Sequence, residues 1–551
     1  MSLFMPKKNR IPGIFSVICA GTLLAFCAFC GCVSDAATTG TTNQTAKNPA
    51  SVVIPVDSAS TLTHTSVMQK GGVPAGSLAY EGLVIKATNG TFEPALAKSW
   101  DVSDDAKTWT FYLVEDATWH DGVPFTCADV KFTNDYMKEK NLTLGFVLKD
   151  VSSISCPNDH TAVFTLKTSY SGFLDQISRQ PGITISPRHY WENISDPQHY
   201  RDTDFVGTGR FKYENAEGNY FSYTVNDKYF GEVPKISGVI LTVITNADSK
   251  ILALKNGEID VVSGITPAVA DSLKGEKNIG LYTINDTGAY EVGFNMNEYP
   301  ADNPEFRRAM SHAIDRDTII SLFGTGRPTD TTFLIPGLAG DYVNQNVTGM
   351  YDYDLKKAEE ILKAAGFTKN AEGVLTGPDK KPVTITIPLG GKGAPNGGEQ
   401  KIVTVLKEDW GKLGIAVSTL SYDDQSQYRA AVKKNAVFID GFPVTLHDDA
   451  DALVNFAVTP TQETNYYNYN NSEYNTLVRE IQNTPDKIKI KQLAYRMQEL
   501  LARDIPSVPV CTTDTIVAYR SDRFTGWDIG PGYHNVLDPK VLSSLTPVHS
   551  T

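Results

Sequence analysis

"PALAKSWDVSDDAKTWTFYLVEDATWHDGVPFTCADVKF", residues 94–132, reads as strand, turn and the start of a helix. Trp109, Phe111 and Leu113 alternate with Thr110 and Tyr112, the period of two that gives a strand one buried face. "DDAK" (104–107) precedes that run and "DGVP" (121–124) follows it, and both carry turn chemistry. Thr126 is placed to cap the next helix, with Asp129 at the third helical position answering it. His120 and Asp121 stand side by side as an acid–base pair would. The turn is a sufficient cause for that adjacency, so His120 is expected to be structural.

Outward from this stretch, short strands and capped helices keep alternating. "SVVIPV" (51–56), "SGVILTVI" (237–244) and "YEVGFNMN" (290–297) read as strands, and a helix capped by Asp248 ends near Gly257. Asn303 caps a helix with Pro304 at its first position, where a missing N–H is harmless. Its Phe306, Ala309, Met310, Ala313 and Ile314 share one face. Asp354 opens another helix, with Leu355, Ala358, Ile361, Leu362 and Ala365 on one face and Gly366 closing it. A strand (382–389), a Gly-rich loop (390–398), a helix (399–413) and a strand (415–422) then succeed one another. That order implies an α/β sheet with parallel neighbours. "NYYNYNNSEYN" (465–475) admits two readings, an aromatic cleft lining or ordinary filling of loops and helix ends.

The chain has 551 residues, 41% hydrophobic and 21% charged, enough for several domains' worth of core. A net charge of −13 argues against an extended nucleic-acid interface, which needs a cationic footprint. Lys7, Lys8 and Arg10 precede a mostly apolar run from Ile11 to Phe29, the pattern of a secretory signal. The Thr/Asn/Ser/Ala segment 33–51 is too polar for a core and reads as a flexible tether. Of seven cysteines, Cys127, Cys156 and Cys511 lie in the body, too few for a disulfide framework. Outside the cell a Cys127–Cys156 bridge is allowed, but buried, unpaired thiols are the reading favoured here. No H-E-x-x-H, G-x-S-x-G or body C-x-x-C occurs, and "GGKGAPNGG" (390–398) lacks the order that cradles phosphates.

Several ordered motifs resemble one family. The 94–132 stretch is similar to the signature of the peptide/nickel class (family 5) of extracytoplasmic solute-binding proteins of ABC importers. "FVGTGRF" (205–211), "NDKYFGEVPKISGVILTVI" (226–244), "FNMNEYPADNPEFRRAMSHAIDRDTII" (294–320) and "YDYDLKKAEEILKAAGF" (351–367) resemble its later segments in the right order. The resemblance implies an α/β, two-lobe periplasmic-binding-protein-like fold of type II, the large class with an extra subdomain, with ligand between the lobes. It places lobe I at 52–81, 205–289 and 511–545, an inserted subdomain at 82–204 and lobe II at 290–510, with hinge strands near Gly288–Phe294 and Val508–Thr513. The Gly31-Cys32 ending of the 1–32 segment resembles a lipoprotein signal, with Cys32 as the lipid attachment point. A simple membrane anchor with Cys32 unmodified stays open as the other reading.

Peptide-binding members show G-W-x-x-D in lobe II, the aspartate pairing with the peptide amino group. Here "IDGFPVTLHDDADALVNF" (439–456) has Phe442 for the tryptophan and Thr445 for the aspartate, with Asp448, Asp449 and Asp451 just after. In nickel-binding members an arginine holds a chelator's carboxylates, and within "YSGFLDQISRQPGITISP" (170–187) Arg179 falls within one position of it. An arginine fork suits carboxylate geometry; a salt bridge is the competing role. The ligand-binding set implied is Thr61, Leu62, Thr63, Arg179, Tyr290, Asn295, Phe442, Thr445, His447 and Asp448, with His447 the one candidate for direct metal contact. The expectation is a lipid-anchored, non-enzymatic, monomeric protein on the outer face of the cytoplasmic membrane, without cofactor. It would deliver oligopeptides or dipeptides to a membrane permease and its ATPase. A nickel or other metal chelate is the alternative cargo, and a sensor ectodomain or extracellular hydrolase on the same fold the remote one.

Overall fold

A computed structural model describes residues 50–57, 74–86, 91–142, 148–178, 183–197, 199–200, 202–329, 333–334, 339–390, 397–443, 450–456, 465–527 and 536–548. Strand Ser51–Val56 runs parallel to Gly238–Val243, and Tyr220–Val225 and Phe211–Glu217 extend this sheet antiparallel. Val52 and Ile54, from the start of the described chain, share a core with Val541, Leu542 and Leu545 from its end. Arg523 fastens the two: it pairs with the fully buried Asp260, whose other oxygen accepts the Val53 N–H at 2.6 Å.

A second sheet is all antiparallel: Ala97–Val102, Thr108–Leu113, Thr161–Leu166 and Val151–Asn158. Trp109, Phe111 and Leu113 face its core, where helix Cys127–Glu139 packs. The turn chemistry read at 121–129 is present: the Asp129 carboxylate accepts the Thr126 N–H at 2.9 Å. His120 is structural, its Nε2 within 3.0 Å of the Gly209 carbonyl, and burial lowers its pKa. One expectation fails here. Cys127 and Cys156 form a disulfide with Cα atoms 5.8 Å apart, because the helix start and the outer strand bring them together; among the described residues only Cys511 stays a free, buried thiol.

The remaining residues build cores around Phe306, Met310 and Trp410 and around Tyr474, Met497 and Leu501. Strand Thr384–Gly390, helix Gly398–Lys412 and strand Ala416–Tyr422 form a crossover with parallel pairing, Thr384 opposite Ala416. The parallel expectation holds there and for Ser51–Val56, while the other described ladders are antiparallel. Helix Ala247–Asn256 is capped by Asn246, whose side chain accepts the Ser249 N–H, and not by Asp248, which lies in the first turn. It ends as read at Gly257, in the left-handed region at φ 74°. Tyr467, Tyr469 and Tyr474 are core residues, so that aromatic run mainly fills lobe interior.

Candidate functional site

Two long strands, Ile279–Phe294 and Ser507–Arg520, pair antiparallel along most of their length. Their halves serve different cores. Ile284 and Val517 belong to the core that holds the chain ends; Tyr290, Val292, Val508 and Val510 belong to the core around Trp410. Between the halves the ladder slips, between Ile284 and Gly288, and Asp286 takes a left-handed φ of 54°. Side chains pin this break. Asp514 accepts the N–H groups of Asp286 and Gly326, each at 3.0 Å, and Arg327 pairs with Asp286. Thr287 donates to the Thr513 carbonyl at 3.1 Å.

On the side of the Trp410 core, Val437–Pro443 lines up beside the first strand, placing Gly441 opposite Tyr290, Asp440 opposite Glu291 and Phe442 opposite Ala289. Tyr290 is only 5% exposed and lies 5.3 Å from the Phe323 ring. Two glycines make room for it. A Cβ on Gly398 would meet the Tyr290 hydroxyl at 2.3 Å, and one on Gly441 would meet its ring at 2.5 Å. Asn295, also buried, donates to the Lys433 carbonyl at 3.0 Å and accepts from the Asn468 amide at 2.8 Å and the Asn297 N–H at 3.2 Å. It ties three segments of lobe II together.

Around Tyr290 stand three carboxyls that sequence reasoning did not single out. Glu291 accepts from the Tyr467 hydroxyl and, at 2.9 Å, from Ser507. Burial, then the neighbouring Asp440 charge, pushes its pKa up to about 8. Glu399 accepts the Gly390 N–H at 3.0 Å, and burial raises it to about 7. Burial holds Asp440 at about 6. An acid inside the apolar run "VFIDGF" (437–442) was the available signal for Asp440. Glu291 gave none, since its environment is made by a strand some 150 residues away in sequence. Among the described residues no set of three or more His, Cys, Asp or Glu is arranged to hold a metal ion.

Of the residues named from sequence, the structure brings together Tyr290 and the backbone of Phe442, and places Asn295 just beyond the strand end. Cys32, Thr61, Leu62, Thr63, Arg179, Thr445, His447 and Asp448 lie outside the described residues, as do the Phe442 side chain and the loop 391–396.

A family model described as "Bacterial extracellular solute-binding proteins, family 5 Middle" matches residues 91–465. The "Dipeptide-binding protein" of Escherichia coli is 25% identical over 374 residues, covering 63% of this chain and 67% of that one. The "Di/tripeptide-binding protein 1" of Pseudomonas aeruginosa is 24% identical over 444 residues, 76% of this chain and 80% of that one. Peptide-binding relatives from Brucella species are matched over 64% of their own length. Among solved structures, NikZ of Campylobacter jejuni in complex with Ni(L-His) superposes with a TM-score of 0.74 at 22% identity, covering 90% of this chain and 99% of that one. That likeness shows a shared fold.

Proposed function

The chain belongs to the bacterial extracellular solute-binding proteins, family 5, and on that premise we propose that it captures peptides outside the cytoplasm and hands them to the permease of an ABC importer. The carrying observation is the pair of strands that run from one core into another, with a pinned break between them. Such an element lets two lobes close on a small guest by hinge motion. Peptides are favoured as cargo because dipeptide- and di/tripeptide-binding proteins stand among the relatives of this chain. Nothing is cleaved in this reading; binding and closure are the whole event. Lobe I would comprise 52–81, 205–289 and 511–545, the inserted subdomain 82–204 and lobe II 290–510.

Ligand contacts are assigned to Thr61, Leu62, Thr63, Arg179, Phe442, Thr445, His447 and Asp448. Tyr290 and Asn295 complete that ligand-binding set, and their packing and hydrogen bonds also hold the strand ends in place. Cys32 would carry a lipid, with 33–51 as tether; mass spectrometry of the mature N-terminus tests that, and an unmodified Cys32 overturns it. Thermal-shift screening of the whole folded body against dipeptide and oligopeptide pools, with nickel chelates as a second panel, tests the cargo. A ligand at 100 times its Kd raises stability by about 2.7 kcal/mol. A rise with peptides is expected. A rise with chelates alone would transfer the protein to metal-chelate uptake, and no rise with either would remove the peptide assignment.

A further inference from the structure

Residues 169–174 belong to the inserted subdomain by their own anchors. The Ser169 hydroxyl donates to the Asp105 carbonyl at 2.6 Å, the Tyr170 N–H to the Ala106 carbonyl at 3.2 Å, and Phe173 is buried in that subdomain's core. Ser171, between these anchors, bonds elsewhere. Its N–H donates to the Gln482 carbonyl at 3.1 Å and its hydroxyl to the Ile481 carbonyl at 3.1 Å. Those carbonyls are the last two of helix Ser472–Gln482, which packs Tyr474, Val478 and Ile481 into a lobe II core. The final turn of a helix leaves its carbonyls without intrahelical donors. Here one serine on a separately cored body supplies two of them. The negative end of the helix dipole favours donors at that place.

We propose that Ser171 is a closure clasp: a helix C-cap supplied across the cleft, made when the subdomain and lobe II meet and replaced by water when they part. It acts far along the chain from the crossover strands, so it biases the lobe angle without touching the hinge or the residues assigned to ligand. The inference rests on the two-lobe closure reading but not on any choice of cargo. Because both acceptors are backbone atoms, the specificity of the clasp resides in residue 171 alone. Ser171→Ala keeps the N–H and loses one bond, while Ser171→Pro loses both.

The test is a distance distribution between spin labels on Asn158→Cys, at the end of strand Val151–Asn158, and Glu372→Cys, in the turn between Thr368–Lys369 and Leu375–Thr376, both exposed, recorded on the full folded body without ligand. Two net hydrogen bonds bias the open–closed ratio by roughly tenfold or more. Ser171→Pro is therefore expected to move the population toward the longer distance by that factor, and Ser171→Ala by roughly threefold. Identical distributions for the parent and Ser171→Ala would overturn the clasp. So would Ser171→Pro matching the parent while its circular dichroism is native. Should Ser171→Pro fail to fold, the alanine variant alone decides. Failure of every peptide to bind would sink the cargo reading and leave this ligand-free result standing, so the two failures are distinguishable.

Discussion

The same two strands bury acids at both ends and treat them in opposite ways. At the end near the core that holds both chain ends, Asp260 has a cation, Arg523, which also donates to the Ser51 carbonyl at 3.0 Å. At the end near the Trp410 core, Glu291 meets hydroxyls only among the described residues, with Asp440 opposite it in the ladder and Glu399 nearby. A buried charge is tolerated when a cation accompanies it; without one, the group holds its proton instead. One end of the crossover is therefore a fixed ionic joint, and the other is a protonatable one.

Breaking the ionic joint should have the largest effect. Arg523→Ala takes away the guanidinium paired with the buried Asp260 and is expected to lose about 3–5 kcal/mol in chemical denaturation. A loss under 1 kcal/mol would mean the joint is no stronger than a surface pair.

The protonatable end predicts a pH dependence of definite sign. Folded-state pKa values of about 8, 7 and 6 for Glu291, Glu399 and Asp440 lie above their ordinary values of 4.5, 4.5 and 3.8. Between those limits the folded chain binds more protons than the unfolded one. Stability from this cluster is thus complete below about pH 4 and lost as pH rises through about 6 to 8. Glu291→Gln, permanently neutral, should flatten that decline and exceed the parent by on the order of 2 kcal/mol at pH 9, with little difference at pH 5. Parallel stability–pH curves for variant and parent would show that Glu291 is charged throughout.

Tyr467→Phe removes one hydroxyl from Glu291 without supplying a substitute, and about 1–2 kcal/mol of destabilisation is expected in urea melts. Its counterpart test is Asp440→Asn, the smallest effect of the series. The Asp440 charge helps raise Glu291, so the variant should make the alkaline decline of stability smaller and complete at a lower pH, while leaving the acid plateau unchanged. An upward shift would reverse the sign of that coupling.

Legibility from sequence followed range. The Thr126–Asp129 cap, the Gly257 helix stop and the apolar face of Phe306, Ala309 and Met310 all depend on residues within a turn or two, and all stand as read. The cap given to Asp248 was off by one residue pair: Asn246 has the extended backbone a cap requires and Asp248 does not leave the helix. The family could be recognised because its motifs are themselves local. The acid cluster was not legible, since Glu291, Glu399 and Asp440 carry no local mark of their neighbours, and Ser171 looks like any loop serine until helix Ser472–Gln482 is set against it.

The chain by itself determined most of its strands, caps and turns, and the motifs that mark the family. These follow from backbone sterics and side-chain period, forces that act over a few neighbouring residues. Only the tertiary structure decided that Cys127 meets Cys156, that Asp440 lies opposite Glu291, and that Ser171 reaches residues 310 positions away. Such pairings depend on strand register and on which apolar faces pack together, and a one-residue slip would replace every one of them.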